Sequence, residues 1–99
     1  MPRRNFSKYQ AMWLFVIFDL PVTTRKARRD YTKFRKGLLR EGFSMLQFSV
    51  YAQYFPSEEA SAAHRRRVRV MLPPQGEVRL MSITDRSSRR WKSSWRKRA

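Results

Sequence analysis

An α+β fold with the element order strand, helix, strand, strand, helix, strand is predicted by three features of the chain. An unbroken apolar run comes first, a strongly periodic basic segment follows it, and the remainder repeats the scheme with a longer β-rich stretch, a second helix and a last strand. The 99 residues leave room for one domain and a modest core.

Met12-Trp-Leu-Phe-Val-Ile-Phe18 is continuously apolar, aromatic and β-branched, as a central strand covered on both faces requires. Asp19 closes the run, and Pro21 cannot donate to a ladder, so the strand ends there. Thr23 and Thr24 are candidate N-caps. Over Arg25–Arg40, Ala27, Tyr31, Phe34 and Leu38 recur at helical spacing, and Arg25, Lys26, Arg29, Lys33 and Lys36 occupy the other face. Gly42 stands where a helix-ending glycine belongs.

Residues 43–55 are rich in β-formers yet contain no Gly, Pro or Asn to mark a turn. The pattern therefore leaves one long strand and a tight hairpin both open. Ser57 caps a second helix whose first turn carries Glu58 and Glu59, favourable on the helix dipole. Ala60, Ala63, Val68 and Met71 give it a weaker apolar face, Pro73-Pro74 ends it, and Gly76 turns the chain into a strand over 78–84. With a hairpin in 43–55, the order is that of a ferredoxin-like βαββαβ sandwich, an antiparallel sheet with two helices on one face. The division along the chain is a basic N-terminal extension (1–10), a domain (11–86) and a basic tail (87–99).

Composition excludes several functions. The chain has no cysteine and one histidine, His64, so disulfides, thiolate chemistry and a multi-histidine metal site within one chain fall away. Nucleotide-loop and zincin motifs are absent too. The basic start followed by an apolar run imitates a secretory signal, but the run is short and Asp19-Leu20-Pro21 replaces a cleavage site. It is also far too short to span a bilayer, so a cytoplasmic protein with no membrane partner is expected. A net charge of +16 points to a polyanion. Arg25, Arg28, Arg29, Lys33, Arg35 and Lys36 on the first helix, with Arg65, Arg66, Arg67 and Arg69 on the second, form a candidate phosphate-contacting face.

Asp19 is the candidate for chemistry. A carboxylate at a strand end is exposed for function, by analogy with ligand sites at the carboxyl ends of parallel strands. One carboxylate is a poor divalent site, whereas a two-fold axis beside Asp19 would bring two copies together around a cation. Asp30 is accounted for by Lys26 or Lys33 one helical turn away, Asp85 by capping the last strand, and His64 by a solvated position among arginines.

The residues Leu14-Phe-Val-Ile-Phe-Asp-Leu-Pro21, Arg28-Arg-Asp-Tyr-Thr-Lys-Phe-Arg35, Gly42-Phe43, Gln47-Phe-Ser-Val-Tyr51 and Val78-Arg-Leu-Met-Ser-Ile-Thr-Asp85 resemble the CRISPR-associated Cas2 family over roughly 11–86, most closely its branch beside Cas9-type systems. The resemblance implies a ferredoxin-like homodimer that joins the CRISPR integrase in spacer acquisition. It also implies a Mg²⁺-dependent endonuclease, with Mn²⁺ able to substitute, acting on single-stranded RNA or duplex DNA. The family's metal aspartate matches Asp19, and Arg25 and Arg28 match basic positions near phosphates. The alternatives are a non-catalytic dimeric DNA-bridging scaffold of the integration complex and a ribonuclease toxin of related fold.

The tail departs from the family. Members commonly continue after the last matched Asp with Gln-Phe-x-x-Met and a strand that pairs with the partner subunit. Here Ser-Ser-Arg-Arg-Trp-Lys-Ser-Ser-Trp stands instead, and codons for it exist that, shifted by one base, read Gln-Phe-Ala-Ala-Met-Glu-Val-Phe-Val. Residues 87–99 are accordingly read as an out-of-frame version of that strand.

Overall fold

The structure is a computed structural model that describes residues 11–84. The N-terminal extension, Asp85 and the out-of-frame reading of 87–99 lie outside the described residues. Strand β1 (Met12–Asp19) is followed by helix α1 (Arg25–Arg40), strands β2 (Ser44–Gln47) and β3 (Val50–Phe55), helix α2 (Glu58–Val70) and strand β4 (Glu77–Thr84). The sheet order is β2-β3-β1-β4, every neighbouring pair antiparallel. This is the ferredoxin-like sandwich expected from the sequence, and the unbroken apolar strand is one of its two central strands.

Alternation along β1 sets the two faces of the sheet. Met12, Leu14, Val16 and Phe18 pack into one core cluster with Phe34 and Leu38 of α1, Val68 of α2, and Tyr51 and Phe55 of β3. Both helices therefore cover the same face. Trp13, Phe15 and Ile17 point the other way, opposite Tyr54, Ala52 and Val50 on one side and Ile83, Met81 and Arg79 on the other. There the Trp13 ring meets Tyr54 edge-on at 5.3 Å and Phe15 at 6.4 Å.

Local chemistry explains the boundaries. The Thr24 hydroxyl accepts from the Ala27 N–H at 3.0 Å, and the Ser57 hydroxyl accepts from the Ala60 N–H at 3.1 Å, capping α1 and α2. After α1, Gly42 takes φ +95°, a conformation open to glycine at no steric penalty.

The stretch 43–55 resolves as a hairpin. Gln47 pairs with Val50, leaving Phe48 and Ser49 as a two-residue loop. Neither has a positive φ, so this is not the mirror-image turn that Asn-Gly signals. Such turns fit strand twist poorly, and the register shift between Met45 and Gln47 supplies the compensating irregularity.

Two expectations for α2 are corrected. Ala60 is exposed, and the buried small residue is Ser61, whose hydroxyl donates to the Glu58 carbonyl at 2.7 Å. His64 is not solvated: its side chain is 27 % exposed, its ring lies 4.9 Å from that of Phe55, and Nδ1 is 3.0 Å from Glu41 Oε1. The seam runs 57-61-64-68-71, one position out of phase with the alanines. A histidine and a serine occupy inward sites that composition assigns to apolar residues.

Candidate active site

Asp19 is the last residue of β1 and is exposed. Its odd position puts it on the sheet face away from the helices, together with its cross-strand partner Glu77, the first residue of β4. The two carboxylate-bearing residues are thus neighbours within a single chain. Like charges placed directly opposite oppose pairing of the strands, which marks the position as one the fold does not favour for itself. Glu77 is partly answered by Arg79, 3.5 Å away on its own strand.

Glycine fixes the approach of β4 to this point. Gly76 has φ +96°, and a Cβ there would lie 2.7 Å from the Asp19 carbonyl oxygen and equally close to the Leu20 side chain. Only glycine lets the turn close against the end of β1. Gly76 therefore sets where Asp19 and Glu77 meet.

Helix α1, whose N-terminus follows β1 by a short loop, lies on the other face of the sheet and carries the cations. Arg28 donates to the Val22 carbonyl at 3.1 Å and ties that loop to the helix. Arg25, Arg28, Arg29, Thr32, Lys33 and Lys36 line an open groove of about 480 Å³ along the outer face. Five of the six α1 cations expected to form a phosphate-contacting face come together there. Arg35 does not: it is half-buried and is not part of the groove's lining. Thr32 joins the groove unforeseen, one helical stripe from Arg25, and adds a hydroxyl donor to the cations. Asp30 takes the structural role assigned to it, 3.3 Å from the Lys26 ammonium.

The second basic helix contributes less to a phosphate face. Arg65 pairs with Glu58 at 3.4 Å. Arg67 donates Nε to both Glu41 oxygens at 2.8 Å, and His64 completes that cluster. The Arg67 bond, with His64 beside it, holds the Glu41 carboxyl below the usual carboxylate range against the opposing effect of burial.

The donors available for a cation are hard oxygens. Among the described residues no group of three or more His, Cys, Asp or Glu side chains comes together. Asp19 and Glu77 suit a small divalent ion that keeps several waters and takes its remaining oxygens from a phosphate. Asp19 was legible from its place at a strand end; Glu77 was not, because only the register of β4 against β1 reveals it.

Comparisons with known proteins agree with this architecture. The family described as CRISPR associated protein Cas2 matches residues 12–91. The chain is 45 % identical over 82 residues to the CRISPR-associated endoribonuclease Cas2 of Flavobacterium psychrophilum, covering 83 % of this chain and 71 % of that one. It is 49 % identical over 74 residues to the protein of the same name from Parvibaculum lavamentivorans, covering 75 % and 73 %. For the Acidovorax ebreus protein, also so named, the identity is 41 % over 75 residues, covering 76 % and 74 %. Likeness at this level, running through both helices and all four strands, means that the chain belongs to the CRISPR-associated Cas2 family.

Proposed function

We propose that the protein is a metal-dependent endonuclease that cuts phosphodiester bonds in RNA, with Asp19 as its metal-holding carboxylate. The relatives' name, endoribonuclease, supports the polymer; duplex DNA is the second substrate to be compared. The observation that carries the reading is the exposed Asp19–Glu77 pair at the end of β1, in a fold whose first helix, starting a short loop later, presents a groove of cations.

Asp19 would hold a Mg²⁺ or Mn²⁺ ion, with Glu77 close enough to bear on the same position. When bound, such an ion supplies Lewis acidity toward the phosphoryl oxygens and lowers the pKa of an attacking water. The chain's own residues do the rest. Arg25, Arg28, Arg29 and Lys33 bind and orient the sugar-phosphate backbone, and Arg35, outside the groove, adds to the positive charge of the same helix.

A homodimer completes the site. The sheet face that carries Asp19 also carries the exposed Tyr54 and Met81, apolar surface on which a second copy can dock. Docking there brings the two copies of Asp19 toward one axis, and their repulsion favours a cation between them. The dimer acts with the CRISPR integrase in spacer acquisition, in the cytoplasm. Among the described residues no helix is long and apolar enough to cross a membrane.

Asp19→Asn tests the reading. It should abolish metal-dependent cleavage of labelled RNA while the thermal midpoint and the sedimentation behaviour stay as in the unsubstituted protein. Full cleavage by Asp19→Asn would refute it. Lost cleavage with undiminished spacer acquisition would leave the protein a DNA-bridging scaffold in that process.

A further inference from the structure

Phe48 is 78 % exposed, an aromatic ring at the tip of the β2–β3 hairpin. Its backbone is firmly held. The Phe48 carbonyl accepts from the Tyr31 hydroxyl at 3.2 Å, and the next carbonyl, of Ser49, accepts from the Phe18 N–H at 3.0 Å. Tyr31 in turn packs edge-on against Phe18, centroids 6.0 Å apart. The tip is therefore rigidly placed while its ring faces water.

Its place is informative. Ile17 pairs with Val50 and the Phe18 N–H reaches Ser49, so Asp19 and Phe48, each the next residue along, lie at the same end of the sheet. One end of the sheet thus gathers the Asp19 carboxylate, the first turns of α1 with Arg25 and Arg28, and an exposed ring. A two-residue hairpin loop asks for small or polar residues. A phenylalanine there neither helps the turn nor fills the core.

We propose that Phe48 is a stacking platform for one unpaired nucleobase, positioning single-stranded nucleic acid so that an adjoining phosphate reaches Asp19. This rests on the nuclease reading and narrows its substrate class. Bases in a duplex have both faces covered by neighbours, whereas an unpaired base can lie on a protein ring whatever its identity. The cations of α1 hold the backbone without regard to strandedness. Phe48 is the residue that tells single strands from duplex.

The test reads binding, not cleavage, in full-length protein carrying Asp19→Asn and without divalent metal, so its outcome is independent of whether Asp19 is catalytic. The probes are a short single-stranded RNA containing 2-aminopurine and a duplex DNA of similar length. Phe48→Ala should weaken RNA binding roughly tenfold and abolish the fluorescence change of the probe base, with duplex binding unchanged. Phe48→Trp and Phe48→Tyr should restore both, and Phe48→Leu, apolar but not aromatic, should restore neither. Undiminished RNA affinity in Phe48→Ala, rescue by Leu, or an equal loss on duplex would overturn the proposal. So would loss of self-association in Phe48→Ala by sedimentation, which would assign the ring to a protein interface.

Discussion

The two helices of this fold are both rich in arginine and use it in opposite ways. α1 carries eight Lys and Arg against one Asp and has no acid in its first turn. α2 begins with Glu58 and Glu59 and ends with Arg67 and Arg69, the distribution that a helix dipole favours. Arg65 and Arg67 of α2 pair with Glu58 and Glu41. Among the described residues, Lys26 is the one cation of α1 with an acidic partner, Asp30. Arg25 and Lys26 moreover sit at the positive end of the α1 dipole, where cations are unfavourable. Arg67 ties α2 to the end of α1, whereas Arg25 and Lys26 are carried against the interest of their helix. In a chain of net charge +16, abundance of arginine does not locate a binding face; a groove lined by cations does.

The largest expected effect follows directly. Reversing two groove cations, Arg29→Glu with Lys33→Glu, should weaken binding to nucleic acid about a hundredfold at low salt and reduce the slope of log affinity against log salt by nearly two, one counterion per lost phosphate contact. The same double reversal on α2, Arg66→Glu with Arg69→Glu, should change affinity far less. Filter binding across a salt series measures both. Equal losses from the two helices would break the distinction between them.

The α2 side of the comparison predicts a loss of stability instead. Arg67→Ala removes the paired 2.8 Å bonds to Glu41 that tie the end of α1 to α2, and should destabilise the fold by about 1 kcal/mol, since the guanidinium is partly exposed and solvent replaces some of what is lost. Its nucleic-acid affinity should be unchanged. Acid sharpens the test. The Glu41 carboxyl is held below its ordinary value in the folded state, so its stabilising effect is fully present above about pH 4.5 and fades as pH falls through the folded value. Glu41→Gln should therefore be less stable than the unsubstituted protein at neutral pH and approach it in acid, as denaturant unfolding at several pH values would show. A deficit that persists unchanged into acid would remove the ion pair from the account.

Which parts of this were readable beforehand follows from the range of the interactions that decide them. α1 was legible residue for residue because period, cap and ending glycine are all local: Thr24, Ala27, Phe34, Leu38 and Gly42 lie within two dozen positions of one another. Asp19 was legible because a carboxylate ending an apolar strand is a local contrast too. Glu77 was hidden, since nothing near it in sequence says that β4 starts opposite the end of β1. The hairpin was ambiguous because its loop is Phe48-Ser49, with the twist corrected by an irregularity at Met45–Gln47 and not by a glycine. His64 was misplaced for the same reason as Glu77: its partner Glu41 is 23 positions away.

The smallest effect is the most discriminating, because it must have opposite signs in two measurements. Arg25 is the first residue of α1, directly after the Thr24 cap, where the unpaired backbone N–H groups leave a partial positive charge. It has no acidic partner among the described residues, and it lines the groove. Replacing it by Glu puts a negative charge where the dipole favours one, removes a repulsion, and disturbs no buried group, because the residue is exposed. Arg25→Glu should therefore stabilise the fold by about 0.5 kcal/mol, a rise of roughly 2 to 4 °C in thermal midpoint. The same substitution should weaken binding to nucleic acid roughly tenfold at low salt, because a phosphate contact is lost and a repulsion gained. A structural arginine would lose stability and leave affinity alone, the behaviour expected of Arg67. A substitution that improves the fold and harms the binding identifies a side chain kept for its ligand. If Arg25→Glu instead lowers the midpoint, the first turn of α1 is not the unfavourable place that this contrast requires, and its charges belong with those of α2.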